Sequence, residues 1–221
     1  MSTSQRPVVS LDIGGTLGGA QGPGIAARLS ALSPLTPKEA RRIMRGILHT
    51  APTITPSVIG KVCAALEISP RDFPSGFPVS PLVLFDGVPA ALRRLSQRAT
   101  VVTISNVTCA EVDTERLEQL FAPWVSTHFP SCHTGFAKPD PEAFINAASV
   151  YQLAASDLIH VGDDWECDIL GARAVNATVI WISHGRTPPN ESPLVTNDVH
   201  VAENFTDAVQ YICRLLETRN A

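Results

Sequence analysis

The most constraining feature of the chain is a set of short apolar runs that each stop on polar residues. Val8, Val9 and Leu11 lead into Asp12, Val101 to Ile104 lead into Ser105 and Asn106, and Leu158 to Val161 lead into Gly162, Asp163 and Asp164. A further run, Thr178 to Ile182, precedes His184. Apolar runs of this length without strict alternation are the pattern of strands covered on both faces. Helical segments fall between them: Val88 to Arg98, Val112 to Phe121, a helix through Tyr151, one near Asp168 to Val175, and a last one from Phe205 to Leu216. Asp140 followed by Pro141 is a good cap and first-turn pair for the third of these helices. With a short strand around Val199 to Ala202 added, the alternation predicts an α/β fold, a doubly wound parallel sheet with helices on both faces.

The rhythm breaks once. Gly14, Gly15, Gly18 and Gly19 read as a flexible loop after the first strand, and Ile25 to Leu32, Lys38 to His49 and Ser57 to Ile68 read as short helices, each preceded by a proline. No strand is expected there. The domain expectation is an α/β core of residues 1–17 and 82–221, with residues 18–81 inserted as a small all-helical cap. Pro188, Pro189 and Pro193 read as a surface loop.

Composition removes several function classes. Seventeen lysines and arginines stand against 21 aspartates and glutamates, a net charge of −4, so there is no basic footprint for nucleic acid or an anionic membrane. Charged residues are 17% of the chain and hydrophobic ones 44%, which speaks for a packed core. No apolar stretch is long enough to span a bilayer, and Met1 to Pro7 is too polar for a secretory signal, so a cytoplasmic protein is expected, monomeric or homodimeric. Cys63, Cys109, Cys132, Cys167 and Cys213 are odd in number and widely spaced, and read as buried small hydrophobes.

Ligands of open parallel sheets sit outside the carboxyl ends of the strands. Asp12, Ser105 with Asn106, Lys138, and Asp163 with Asp164 and Asp168 all fall there. Converging carboxylates repel one another unless a lysine or a cation compensates them. An all-oxygen set points to a hard ion such as Mg²⁺, and the whole to a phosphate or similar anion as ligand.

In this arrangement the sequence resembles the haloacid dehalogenase superfamily. Leu11-Asp12-Ile13-Gly14-Gly15-Thr16-Leu17 is similar to its first motif, Thr103-Ile104-Ser105-Asn106 to its second, Lys138-Pro139-Asp140-Pro141 to its third, and Gly162-Asp163-Asp164 with Asp168 to its fourth. The resemblance implies Asp12 as nucleophile, Ser105, the Asn106 N–H and Lys138 as phosphate-binding and catalytic groups, and Mg²⁺ held by Asp12, Asp163 and the Gly14 carbonyl. It implies Asp164 and Asp168 as groups behind these, orienting a water or Lys138. The substrate class would be a small phosphorylated metabolite.

Gly14 departs from the family pattern, in which phosphatases carry a second aspartate as general acid and base. Three readings follow: a phosphatase whose substrate has a good leaving group or its own acid, a dehalogenase or phosphonate-type hydrolase that does not need the acid, or a weakly active or inactive binding or regulatory protein. Lys38 and Lys61, the lysines available for a phosphonate-type imine, read as solvated helix residues. The first motif also resembles the phosphate loop of actin-like sugar kinases, which leaves the third and fourth motifs unexplained. Arg41, Arg42, Arg45 and His49 read as an exposed basic helix side, His184 as a turn residue, and Trp165 as either a pocket roof or a packing residue.

Overall fold

The computed structural model describes residues 6–74, 76, 81–189 and 198–219; Pro193 and Met1 to Gln5 lie outside the described residues. Six parallel strands form one sheet in the order β5-β4-β1-β6-β7-β8. They are β1 (Val8–Leu11), β4 (Thr100–Ser105), β5 (Thr127–Pro130), β6 (Ile159–Gly162), β7 (Thr178–Ile182) and β8 (His200–Ala202). The chain winds outward from β1 through β4 to β5, then returns to the other side of β1 with β6. That reversal puts the switch point, where such sheets bind ligands, at the carboxyl end of β1.

Helices cover both faces. On one, α4 (Val88–Ser96) and α9 (Phe205–Arg219) pack Leu92, Leu95, Val209 and Ile212 against Val9, Leu11 and Val101. On the other, α7 (Pro141–Val150) and α8 (Gly171–Ala174) pack Phe144, Ala147 and Ala172 against Val8, Val102 and Val179. Each fully buried leucine or phenylalanine is worth roughly 1.5–3 kcal/mol relative to exposure, so these two layers hold the sheet. The shorter helices α5 (Thr114–Phe121) and α6 (Ser131–Thr134) flank β5.

Between β1 and α4 lie α1 (Ile25–Leu32), α2 (Pro37–Ile47) and α3 (Pro56–Ala65), around a separate apolar cluster that includes Leu29, Met44, Leu48 and Val62. α2 starts on a capping box: Thr36 accepts from the Glu39 N–H, and Glu39 accepts from the Thr36 N–H at 3.0 Å. Among the described residues no helix is long and apolar enough to cross a membrane.

Several elements differ from the sequence expectation. Gly18 to Ala20 is a strand (β2), paired antiparallel with β3 (Leu82–Leu84), although no strand was expected inside 18–81. This pairing joins residues some sixty positions apart, so no local pattern announces it. β5 also escapes prediction, because an edge strand reading Thr-His-Phe-Pro needs no apolar run. The helix expected near Asp168 starts earlier, as a π-helical turn over Trp165–Leu170 that continues into α8.

Candidate active site

The site is built at the end of β1. The Asp12 N–H donates to the Val161 carbonyl at 2.9 Å, tying the residue to β6, and the Ile13 carbonyl then accepts from the Leu17 N–H at 2.9 Å. In the turn between, Gly15 has φ +79°, and a Cβ built on it would lie 2.5 Å from Asp163 Oδ1. Only glycine lets the Asp163 carboxylate lie against that backbone. Gly14 is the opposite case: nothing lies within 4 Å of a Cβ there.

Lys138 is 1% exposed and bridges two carboxylates, donating from Nζ to Asp12 Oδ1 at 2.7 Å and to Asp168 Oδ1 at 2.5 Å. Its backbone is held by Asn106. The Lys138 N–H donates to Asn106 Oδ1 at 2.8 Å, and Asn106 Nδ2 donates to the Lys138 carbonyl at 2.7 Å. A carboxamide that pairs with a peptide in this two-bond manner fixes where the lysine side chain starts.

Asp168 reaches the site because the chain takes a wide turn after β6. Asp164 caps that turn, accepting from the Cys167 N–H at 2.8 Å, and its carbonyl accepts from both the Asp168 and Ile169 N–H groups, at 2.8 and 3.4 Å. Such π-helical turns are frequent at functional sites. Asp168 Oδ2 accepts from the Asp164 N–H at 2.9 Å, and the carboxylate lies so close to Gly162 that a Cβ there would be 2.2 Å from its Cγ. Beneath it, His160 Nε2 lies 3.3 Å from Asp168 Oδ1, and His160 Nδ1 is 2.9 Å from Ser10 Oγ.

One ammonium therefore serves two buried carboxylates. Burial pushes the Asp12 carboxyl up to about 7, Lys138 opposes this, and repulsion from Asp168 and Asp163 adds to it. Burial also acts to raise Asp168, but Lys138 and His160 outweigh it and hold that carboxyl below the usual range. Burial works against the charge on Lys138, and Asp12 and Asp168 together overcome it and push the ammonium up. Asp163 is raised by burial and by Asp168, against the pull of Arg186, whose Nη2 lies 3.2 Å from Asp163 Oδ2.

Asp12, Asp163 and Asp168 each offer an oxygen, all within 4.8 Å of one another. Asp168 is occupied by Lys138, His160 and the Asp164 N–H, whereas Asp12 Oδ2 and Asp163 Oδ1 have no hydrogen-bond partner among the described residues. Hard oxygen donors with surplus negative charge suit Mg²⁺.

The structure thus brings Asp12, Lys138, Asp163 and Asp168 together, with Ser105 buried at the end of β4 and Asn106 beside it. Asp164 is exposed at the rim. His160, Ser10 and Arg186 were not anticipated; the only sequence signal was a polar residue inside each apolar run, Ser10 in β1 and His160 in β6. The expected exposed basic face of α2 holds for Arg41 and Arg42 but not for Arg45, nor for His49, whose Nδ1 is buried. Arg45 is 9% exposed, donates to Glu166 Oε1 at 2.8 Å and reaches the Cys167 thiol at 3.4 Å, because this helix side faces the turn after β6. Burial pushes that thiol up to about 12, which leaves it unreactive.

Trp165 packs edge-on against Trp181 at 5.1 Å between centroids, so it is a packing residue. His184 sits at φ +49° and donates from Nε2 to the Gly15 carbonyl at 2.6 Å, beside a cavity of about 440 Å³ lined by Phe85, Asp86 and Thr206 among others. Lys38 and Lys61 are exposed.

Comparisons with known proteins give a family match and a shared fold. A family model described as hydrolase, haloacid dehalogenase-like hydrolase, matches residues 60–176, just over half of the chain. A phosphoserine phosphatase of Thermus thermophilus is 30% identical over 90 residues, which cover 39% of this chain and 35% of that protein. The match spans about a third of that relative's length. Among solved structures, a 2-haloacid dehalogenase of Pseudomonas syringae pv. tomato DC3000 superposes with a TM-score of 0.62 at 19% identity, covering 95% of this chain and 99% of that one. A predicted phosphoglycolate phosphatase of Haemophilus somnus 129PT does so with 0.59 at 18%, covering 96% and 100%.

Proposed function

The chain belongs to the haloacid dehalogenase-like hydrolase family, and we propose that within it the protein is a Mg²⁺-dependent phosphatase of a small phosphorylated metabolite, with Asp12 as nucleophile. The observation that carries the proposal is the shared ammonium. Lys138 bonds Asp12 through one oxygen, and the other oxygen has no hydrogen-bond partner among the described residues, at the carboxyl end of the central strand.

Asp12 attacks phosphorus in line, a P–O bond to Asp12 forms as the bond to the leaving oxygen breaks, and water then hydrolyses the aspartyl-phosphate. Lys138, the Ser105 hydroxyl and the Asn106 N–H stabilise the equatorial oxygens, where charge develops. Asp12, Asp163 and the Gly14 carbonyl would hold Mg²⁺, which when bound offsets the repulsion between carboxylate and phosphate. Asp168 keeps Lys138 charged and aimed, and Asp164 holds the turn that delivers Asp168. Residues 18–81 act as a cap over this end of the sheet, and Arg45 ties them to the turn after β6.

Gly14 supplies no proton to the leaving group. The substrates that suit the site are those whose leaving group is stable as an anion, such as acyl phosphates, or that bring their own acid. The test is a Mg²⁺-dependent screen of phosphorylated metabolites, acyl phosphates, phosphonates and 2-haloacids. Phosphate release that Asp12→Asn abolishes is the expected result. Halide release moves the protein to the dehalogenase branch, and activity insensitive to Asp12→Asn, or none across the panel, overturns the proposal.

A further inference from the structure

The buried pair Ser10 and His160 lies directly beneath the site and has no role in the chemistry described so far. The two residues are register partners on neighbouring central strands, and both are 0% exposed. Strand side chains alternate between faces, so Ser10 lies on the same face of β1 as Asp12, one step below it. His160 correspondingly shares its face of β6 with Gly162, the glycine whose missing side chain admits the Asp168 carboxylate. A continuous path of contacts therefore runs Ser10, His160, Asp168, Lys138, Asp12 at 2.9, 3.3, 2.5 and 2.7 Å.

An ionised carboxylate only accepts, so the proton of a neutral His160 ring sits on Nε2, facing Asp168. Nδ1 is left to accept from the Ser10 hydroxyl. Phe144 closes on the ring edge-on at 5.0 Å between centroids, which fixes the ring plane. An imidazole carries a desolvation cost in a strand otherwise made of Ile159, Val161 and Gly162, and it is matched here by two hydrogen bonds, one to Ser10 and one that leads through the Asp168 carboxylate to Lys138.

We infer that His160, anchored by Ser10, is a positioning residue for catalysis: it holds the Asp168 carboxylate in the orientation that aims the Lys138 ammonium at Asp12 and at the transferring group. The inference rests on the assignment of Asp12 and Lys138 made above. The sheet also contains an internal control. Thr103 Oγ1 and His128 Nδ1 lie 2.8 Å apart as a second cross-strand hydroxyl–imidazole pair, on β4 and β5, and His128 makes no described contact with Asp168 or Lys138.

The experiment compares wild type, His160→Leu, His160→Gln and His128→Leu, with Asp12→Asn alongside. In long-range ¹H–¹⁵N spectra of the labelled protein, the expected His160 signature is a neutral ring protonated on Nε2; a ring protonated on Nδ1 alone overturns the inference. The buried Lys138 ammonium is expected to give a slowly exchanging signal that broadens in His160→Leu, returns in His160→Gln, which restores an N–H donor, and stays unchanged in His128→Leu. With p-nitrophenyl phosphate and Mg²⁺, His160→Leu is expected to lower kcat at least about tenfold with little change in KM, since small misplacements of catalytic groups cost up to about 100-fold. An unchanged Lys138 signal, or losses in His160→Leu no greater than in His128→Leu, overturns it. Full activity in Asp12→Asn refutes the nucleophile assignment instead, and the spectra then still decide the His160 contact.

Discussion

At Asp12 the decisive fact is that Lys138 is shared. Burial pushes both carboxyls up; Lys138 and His160 hold Asp168 down, while Asp12, with a share of one ammonium, rises to about 7. A divalent cation can enter only when Asp12 gives up its proton, so Mg²⁺ affinity is expected to increase as the pH rises through about 7. Titration calorimetry from pH 5.5 to 8 checks this, and Asp12→Asn should remove both the binding and its pH dependence. A pH-independent affinity would place the metal elsewhere. Glycines give a second residue-level prediction with opposite signs. Gly14→Asp meets open space, so it should leave stability within about 0.5 kcal/mol and raise turnover of ordinary phosphate monoesters towards the 10²–10⁴-fold typical of a general acid. Gly162→Ala meets the Asp168 carboxylate at 2.2 Å, and should cost roughly 1–3 kcal/mol in urea unfolding together with most of the activity.

Among the elements, the turn over Trp165–Leu170 connects most of what the site needs. Its wide first turn returns Asp168 to Lys138, while its Glu166 and Cys167 side chains receive Arg45 from α2. The Arg45 side chain is 10% exposed but Glu166 is 40% exposed, so water shares the pair and its strength is that of a rim contact. Arg45→Met should cost about 1 kcal/mol, and a double-mutant cycle with Glu166→Gln should show coupling of about 0.5–1 kcal/mol. Additive single mutants would mean that α2 is held by its apolar contacts alone. Strand ends and helix caps in the core were readable from the chain: Thr178–Ile182 needs no revision, and Asp140 caps α7 where the Asp-Pro pair announces it. The β2–β3 pair and β5 were not readable, since one is made by residues far apart in sequence and the other sits at an edge with no apolar face to reveal it.

For the molecule as a whole, pH acts on stability through groups of opposite sign. His49, just past the end of α2, is pushed down to about 4 by burial, with its Nδ1 buried and without a partner among the described residues. Between about pH 6.5 and 4 the unfolded chain binds a proton there that the folded protein refuses, so stability falls as pH falls through that window. Asp12 acts the other way, since the folded carboxyl holds a proton between about pH 4 and 7 that the unfolded chain releases. The two are separated by difference: relative to His49→Gln, wild type should lose on the order of 1–3 kcal/mol between pH 7 and 4, read from urea midpoints. A constant difference across that range would place the His49 ring in water.

What the amino-acid order determined by itself was the parallel α/β sheet, the insertion of helices after the first strand, and the polar residues that end each strand. These follow from local patterns of apolar runs, caps and breakers, which act over a few residues. Only the tertiary structure decided how those polar groups are shared: that Lys138 spans Asp12 and Asp168, that Asn106 grips the Lys138 backbone, that Arg186 reaches Asp163, and that Ser10 and His160 support the whole from below. Hydrogen bonds and charges couple residues up to 169 positions apart, and which partner each group finds depends on strand register and burial, neither of which any short stretch of sequence contains.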